Sequence, residues 1–385
     1  MQIESKLPGV GLSIFSVMSQ LAFEQEALNL SQGFPNFDPA PELRARVAHY
    51  LGAGANQYAP MTGVPALRQR IAEKVRRLYG AELDLTKEIT ITAGATQALF
   101  TAITAFVRPG DEVILLEPAF DSYRPAIEVN GGRVVAYAMR APDYRVDWAA
   151  VGALVSERTR MILTNTPHNP TGCVFDAADM RALDNLLRGT DILLLSDEVY
   201  EHLIYDGREH QSVLRYPSLY RRSIATFSFG KTFHATGWKV GYAVGPPELM
   251  AEFRKVHQYN VFSVNHPVQL ALADYLADPR HYLQLPDFYQ AKRDALTEAL
   301  APTPLRPLPC AGTYFQLYDY STVSDLPDVE FAEWLTRTHQ VATIPVSVFY
   351  TDSKQDKVVR VCFAKDEKTL RRAGQLLEAL SPGAS

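Results

Sequence analysis

Short apolar runs alternate along this chain with stretches whose apolar residues recur at helical spacing. Ile89-Thr-Ile-Thr92 leads into a helical stretch at Thr96–Val107, followed by Glu112-Val-Ile-Leu-Leu116. Met161-Ile-Leu163, a helical stretch over about 176–188 and Ile192-Leu-Leu-Leu195 come next. Fully apolar short strands separated by helices predict a mostly parallel sheet covered on both faces. Upstream, Ile14, Val17, Met18 and Leu21 form an amphipathic piece ahead of a Pro-rich stretch, Gln32–Pro41. Leu67, Ile71, Val75 and Leu78 predict a helix over Pro65–Tyr79. The C-terminal part opens with a long helical region at about 265–300. It continues with strand-like runs at Thr313–Leu317 and Val358–Phe363, then an amphipathic helix over Glu367–Leu380. The expected architecture is α/β: a large domain at 47–274, and a smaller α+β domain at 275–385 that the N-terminal segment, 1–46, joins.

Composition narrows the classes. With 385 residues the chain is long enough for two cores. The net charge of −5 and the lack of a basic block argue against a nucleic-acid partner. Cys173, Cys310 and Cys362 are too scattered for a metal site or a disulfide framework, as expected in a reducing compartment. Met1-Gln-Ile-Glu-Ser-Lys-Leu-Pro carries no signal-like apolar run, and no apolar stretch reaches about 18 residues. A cytoplasmic protein with no membrane partner is expected.

Chemistry gathers where strands end. Ser228-Phe-Gly-Lys231-Thr-Phe-His-Ala-Thr-Gly-Trp-Lys239 connects two apolar runs, so two lysines and a hydroxyl share one connection. One lysine can bond covalently to an aldehyde while the other and Ser228 neutralise a phosphate. Thr92-Ala-Gly94-Ala95-Thr96 opens a helix, an anion site by its free N–H groups, although Thr96 serves equally as a plain N-cap. Phe120 follows the strand ending at Leu116, where it either stacks on a planar ligand or fills the core. Asn169, between Pro167 and Pro170, sits in a stiff loop and can donate to a ring oxygen. Asp197 directly follows four apolar residues, and a carboxylate there needs a partner such as a protonated ring nitrogen. Tyr200 lies three residues on. Arg360, within an apolar strand, suits either a substrate carboxylate or an internal ion pair.

Together these motifs, in order and spacing, resemble the fold type I pyridoxal-phosphate enzymes of the class I/II aminotransferases. Asn29-Leu-Ser-Gln-Gly33-Phe-Pro, Asn56-Gln-Tyr58-Ala-Pro and Arg360-Val-Cys-Phe-Ala-Lys look like the kynurenine/glutamine aminotransferase branch. Gln57–Gly63, Lys255-Val-His-Gln-Tyr and Ser228–His234 are most similar to its bacterial methionine-type subgroup. The resemblance implies pyridoxal 5'-phosphate as cofactor, with Lys231 as the lysine that bonds to it and shuttles the α-proton. It implies that Asp197 pairs with the ring nitrogen, that Asn169 and Tyr200 hold the ring oxygen and that Phe120 stacks on the ring. Ala95, Thr96, Ser228 and Lys239 match the phosphate cup, to which a neighbouring subunit adds Tyr58. Arg360, Asn169 and the Gly33 backbone match the α-carboxylate clamp. Phe15, and Phe262 from the partner, match the side-chain pocket. The implied enzyme is a homodimer that moves the amino group of methionine, and of aromatic or other large apolar amino acids, to a 2-oxo acid. Kynurenine/glutamine transamination and cysteine-conjugate β-lysis are the alternatives within the same fold. Lys239 stands where many aminotransferases have Arg, and His234 departs from the general lysine-site pattern while suiting the methionine-type subgroup.

Overall fold

A computed structural model describes residues 3–352 and 356–383. Seven strands form the large sheet: β1 (Ile89–Thr92), β2 (Glu112–Glu117), β3 (Arg133–Ala138), β4 (Thr159–Asn165), β5 (Leu193–Asp197), β6 (Ser223–Ser228) and β7 (Gly241–Val244). Their spatial order is β1-β7-β6-β5-β4-β2-β3. Neighbours from β6 to β3 run parallel, as the apolar runs predict, whereas β7 is antiparallel to both β1 and β6.

Side chains alternate across the sheet with period two. Val113, Leu115, Met161, Leu163 and Leu195 face one core, with Met250 and Phe253 of the helix Pro247–Asn260. Ile114, Leu116, Ile162 and Leu194 face the other, with Leu183 of the helix Ala177–Leu187. The central strands of the sheet are therefore buried on both sides. β3, the partly exposed edge strand, is not among the strands expected from the sequence, although Val134–Ala138 forms an unbroken apolar run.

The C-terminal part carries a four-stranded antiparallel sheet of β8 (Arg306–Pro307), β9 (Phe315–Asp319), β10 (Ile344–Pro345) and β11 (Val358–Cys362), in the order β10-β11-β9-β8. Arg360 occupies its second strand, opposite Leu317 on one side and Ile344 on the other. Leu28–Asn29 pairs in parallel with Val341–Ala342, which ties the N-terminal segment to this part. The long helix expected at 265–300 is instead three, His266–Tyr275, Arg280–Leu283 and Leu285–Leu300. Pro279 and Pro286 cannot donate to the preceding turn, so the helical run restarts at each. The terminal helix stops at Leu377, three residues before the expected end, and Asp366 caps its start by accepting from Thr369 N–H at 2.8 Å. Among the described residues no helix is long and apolar enough to cross a membrane.

Candidate active site

The carboxyl ends of β4, β5 and β6 lie side by side, with Asn165 in register with Asp197 and Asp197 with Thr226. Because β7 runs the other way, its start shares this edge: Gly241 pairs with both Ser228 and Thr92. Lys239, two residues before β7, is thereby brought to the start of the helix Ala95–Phe106 although it is remote in sequence. Strand ends and an uncapped helix start converge on a cavity of about 270 Å³. This is the edge where open α/β sheets bind ligands.

Twelve of the expected site residues line the cavity. Lys231, Asp197, Asn169, Tyr200 and Phe120 come from the strand-end loops; Ala95, Thr96, Ser228 and Lys239 gather near the helix start; Arg360, Gly33 and Phe15 complete it from the C-terminal sheet and the N-terminal segment. Tyr58 and Phe262 do not line it. Both are exposed, and their rings meet edge to face with centroids 5.6 Å apart.

Burial governs the electrostatics. It pulls the Lys231 ammonium down to about 8, Arg360 and Lys239 push the same way, and Asp197 opposes. Lys231 Nζ lies 2.8 Å from the Tyr314 hydroxyl and donates to the Gly33 carbonyl at 3.2 Å. Asp197 is pushed up to about 6 by burial, against the Tyr123 hydroxyl, which donates to Oδ2 at 2.6 Å, and Val199 N–H, which donates to Oδ1 at 3.3 Å. Arg360 is 1% exposed; burial brings it down to about 10. Its Nη1 donates to Asn169 Oδ1 at 2.8 Å and its Nη2 to the Ser31 carbonyl at 3.0 Å, while Nε has no partner among the described residues. The guanidinium lies 3.8 Å from the Phe315 ring centroid and 5.1 Å from that of Phe15. Among the described residues no carboxylate makes an ion-pair contact with it, although the charge of Asp121 acts on it from farther off, so its direct partners are the Asn169 amide and the Ser31 carbonyl.

Gly94, not Thr96, holds the N-cap position of Ala95–Phe106, with φ +77° and no side-chain cap. A Cβ on Gly94 would approach Lys239 Nζ to 3.2 Å, so glycine leaves room for that ammonium beside free helix N–H groups. An ammonium, two hydroxyls and uncapped amides suit a phosphate. A buried carboxylate with one oxygen only weakly engaged suits a cationic ring nitrogen. A lysine near neutral pKa suits an aldehyde.

The chain matches the family model for class I and II aminotransferases over residues 25–377. It belongs to the class I and II aminotransferases. Like other members of that family this aminotransferase depends on pyridoxal 5'-phosphate, and the polar groups around the cavity fit that cofactor. The chain is 56% identical to the methionine aminotransferase of Escherichia coli K12 over 378 residues, 98% of either protein. It is 35% identical to mouse kynurenine–oxoglutarate transaminase 1, covering 95% of each. Its structure superimposes on that of E. coli YbdL, for which a methionine aminotransferase function was identified, with a TM-score of 0.97 over 99% of this chain and 100% of the other.

The cavity also holds residues that the motifs did not single out. Tyr123 lies three residues after Phe120, and its signal is that of the next aromatic beyond the same strand end. Asn165 opens the Asn169 motif; its Oδ1 accepts from Asn169 N–H at 2.8 Å and its Nδ2 donates to the Asp197 carbonyl at 2.9 Å. Phe315, which lines the cavity, and Tyr314, which contacts Lys231 and Gly33 from beside it, carry no signal beyond an apolar strand, because their role depends on which residues the fold brings opposite them.

Proposed function

We propose that this aminotransferase moves the amino group of methionine, and of aromatic or other large apolar amino acids, to a 2-oxo acid, working as a cytoplasmic homodimer. The observation that carries the reading is one cavity holding Lys231, Asp197 and Arg360 between the aromatic walls of Phe15, Phe120 and Phe315. The similarity to the E. coli methionine aminotransferase supports the donor. In this reading Ala95, Thr96, Ser228 and Lys239 hold the cofactor phosphate, Asp197 the ring nitrogen, Asn169 and Tyr200 the ring oxygen, and Phe120 the ring face. When bound, pyridoxal phosphate supplies an electron sink for the pair left at the substrate Cα.

The protein's own groups do the rest. Lys231 Nζ, neutral for a useful fraction of the time because burial lowers its pKa, takes the Cα proton and returns it one carbon away. Arg360 with Asn169 and the Gly33 N–H orients the α-carboxylate, and that orientation selects which Cα bond breaks. Phe15 and Phe315 leave no charged partner for an aspartate side chain, which favours apolar donors.

Tyr58 and Phe262 are read as parts of the neighbouring subunit's site, supported by their joint exposure away from the chain's own cavity. The division into 1–46 with 275–385 and 47–274 is likewise our reading, supported by the pairing of Leu28–Asn29 with Val341–Ala342. Free thiols at all three cysteines suit the cytoplasm.

The deciding experiment is a donor panel on the purified holoenzyme. Methionine and phenylalanine should give kcat/KM at least about tenfold above aspartate, the scale that one or two methylenes in an apolar pocket set. Equal use of aspartate removes the proposed selectivity. Kynurenine and glutamine belong in the panel because of the mouse relative, and faster pyruvate release from a cysteine conjugate than transamination of methionine would favour the lyase alternative.

A further inference from the structure

Residues 30–36 lie as a strap along residues 360–366. Leu30 C=O accepts from Cys362 N–H at 2.9 Å, and Ser31 C=O from Arg360 Nη2 at 3.0 Å. At the far end Asn36 N–H donates to Ala364 C=O at 3.3 Å, and Asn36 Oδ1 accepts from Asp366 N–H at 2.7 Å. Between those ties stands Lys365. Its residue is 3% exposed, and its ammonium donates to Phe34 C=O at 2.8 Å and reaches Gln32 C=O at 3.5 Å. It lies 5.1 Å from the Phe34 ring centroid, and among the described residues no carboxylate pairs with it.

A buried ammonium satisfied only by carbonyls is costly, and an apolar side chain of similar length would fill the same space without that cost. The two carbonyls it reaches flank Gly33. In a trans peptide the C=O and the following N–H point in opposite directions, so fastening Gln32 C=O towards Lys365 turns Gly33 N–H away from it. Gly33 itself lines the cavity, and its own carbonyl accepts from the Tyr314 hydroxyl at 2.5 Å and from Lys231. A Cβ on Gly33 would come within 2.8 Å of the Phe315 ring, the ring that lies against Arg360. The strap is thus held in close contact with the guanidinium that it faces.

We propose that Lys365 is a positioning residue for the substrate carboxylate, fixing the Gln32–Phe34 backbone so that Gly33 N–H and the Arg360 guanidinium converge on one anion. Lys365 touches no substrate. The inference rests on the reading above that Arg360 and Gly33 bind the α-carboxylate.

The test uses holoenzyme and the desamino analogue 4-(methylthio)butanoate, whose Kd isolates carboxylate binding from chemistry. Lys365→Met should raise that Kd, and KM for both methionine and the oxo acid, by about tenfold, as expected for loss of a charge-assisted hydrogen bond. Saturated kcat should stay within about twofold, and Lys365→Arg should recover most of the binding. Lys365→Gln, which keeps a donor without the charge, is measured beside them and should fall between; it decides the matter alone if the Met variant does not fold. A Kd unchanged in both neutral variants, or a fall in kcat with Kd intact, overturns the proposal. Arg360→Met separates the two levels. If it leaves Kd unchanged, the carboxylate site itself is wrong; if it abolishes binding while the Lys365 variants bind normally, only the role of Lys365 is.

Discussion

Tyr123 donates its hydroxyl hydrogen to Asp197 Oδ2 at 2.6 Å, and both residues are buried. Burial alone would push Asp197 further up than about 6; this bond holds it down. Tyr123→Phe should therefore raise the Asp197 pKa and leave more of the carboxyl protonated near pH 6, unable to neutralise a ring nitrogen. Loss of a hydrogen bond to a charged group should weaken cofactor binding about tenfold at pH 6 and less at pH 8.5. Cofactor titration followed by visible absorbance measures this, and an equal loss at both pH values would contradict it.

Lys231 couples stability of the cofactor-free chain to pH. Its folded pKa of about 8 lies below its ordinary 10.5, so between those values the unfolded state binds more protons and stability rises with pH. Below about pH 8 the buried charge costs the fold about 3 kcal/mol. Lys231→Met should accordingly be the more stable apoprotein at pH 7, with the difference shrinking towards pH 10.5. Urea unfolding across that window checks it. A parallel pair of stability curves would show that Lys231 is not the group responsible.

Arg360→Lys keeps the charge but loses the planar fork and its face against Phe315. KM for amino acid and oxo acid should rise about a hundredfold, with a smaller change in kcat, as expected for a bidentate site. Steady-state kinetics with both substrates decides this; a loss confined to kcat would move Arg360 out of the binding role.

Behind the Asp197–Tyr200 turn, Glu201 accepts from the ammonium of Lys74 and from the Tyr79 hydroxyl at 2.5 Å, all of them buried. Burial pushes Glu201 up, but Lys74 and its other partners outweigh it and bring the carboxyl to about 2. Its stabilisation is present above the ordinary carboxylate range and is lost as pH falls towards 2. Lys74→Met, which strands the carboxylate, should cost about 3–5 kcal/mol, and Lys74→Met with Glu201→Gln should cost clearly less. Chemical denaturation of both variants at pH 7 tests the pair.

Tyr58 and Phe262 touch each other on the surface rather than their own cavity. Tyr58→Ala should leave a dimer by sedimentation yet lose cofactor affinity. Mixing it with Lys231→Ala should restore activity to one site in each hybrid dimer. Absence of any restored activity would mean that the sites are not shared between subunits.

The strand ends were legible because a carboxylate, an amide or a hydroxyl directly after an apolar run has no reason to be there unless something meets it. Asp197, Asn169 and Ser228 stood out on that ground, and burial of Asp197 bears out the apolar setting. Tyr314 and Lys365 did not. Tyr314 matters through Lys231 and Gly33, which are far away in sequence, and Lys365 closes the Arg360–Lys365 motif without showing any role of its own until the strap covers it. Edge strand β3 is absent from the expected strands although Val134–Ala138 is an apolar run; that it lies at the sheet's edge, partly exposed, is decided by packing. The stretch 265–300 reads as one helix because its apolar residues keep helical spacing across Pro279 and Pro286, where the structure divides it.

The linear order of residues by itself determined a sheet buried on both faces, the strands that end in chemistry, and the class of reaction to which those motifs belong. Apolar runs and turn residues act locally, so their meaning survives without coordinates. Only the tertiary structure decided that β7 runs backwards and brings Lys239 to the start of Ala95–Phe106. It also decided that Asn169 and Ser31 hold Arg360, and that Tyr58 and Phe262 meet each other at the surface rather than line the cavity of their own chain. Those are contacts between segments tens to hundreds of residues apart, set by packing of whole elements, and no local pattern encodes them.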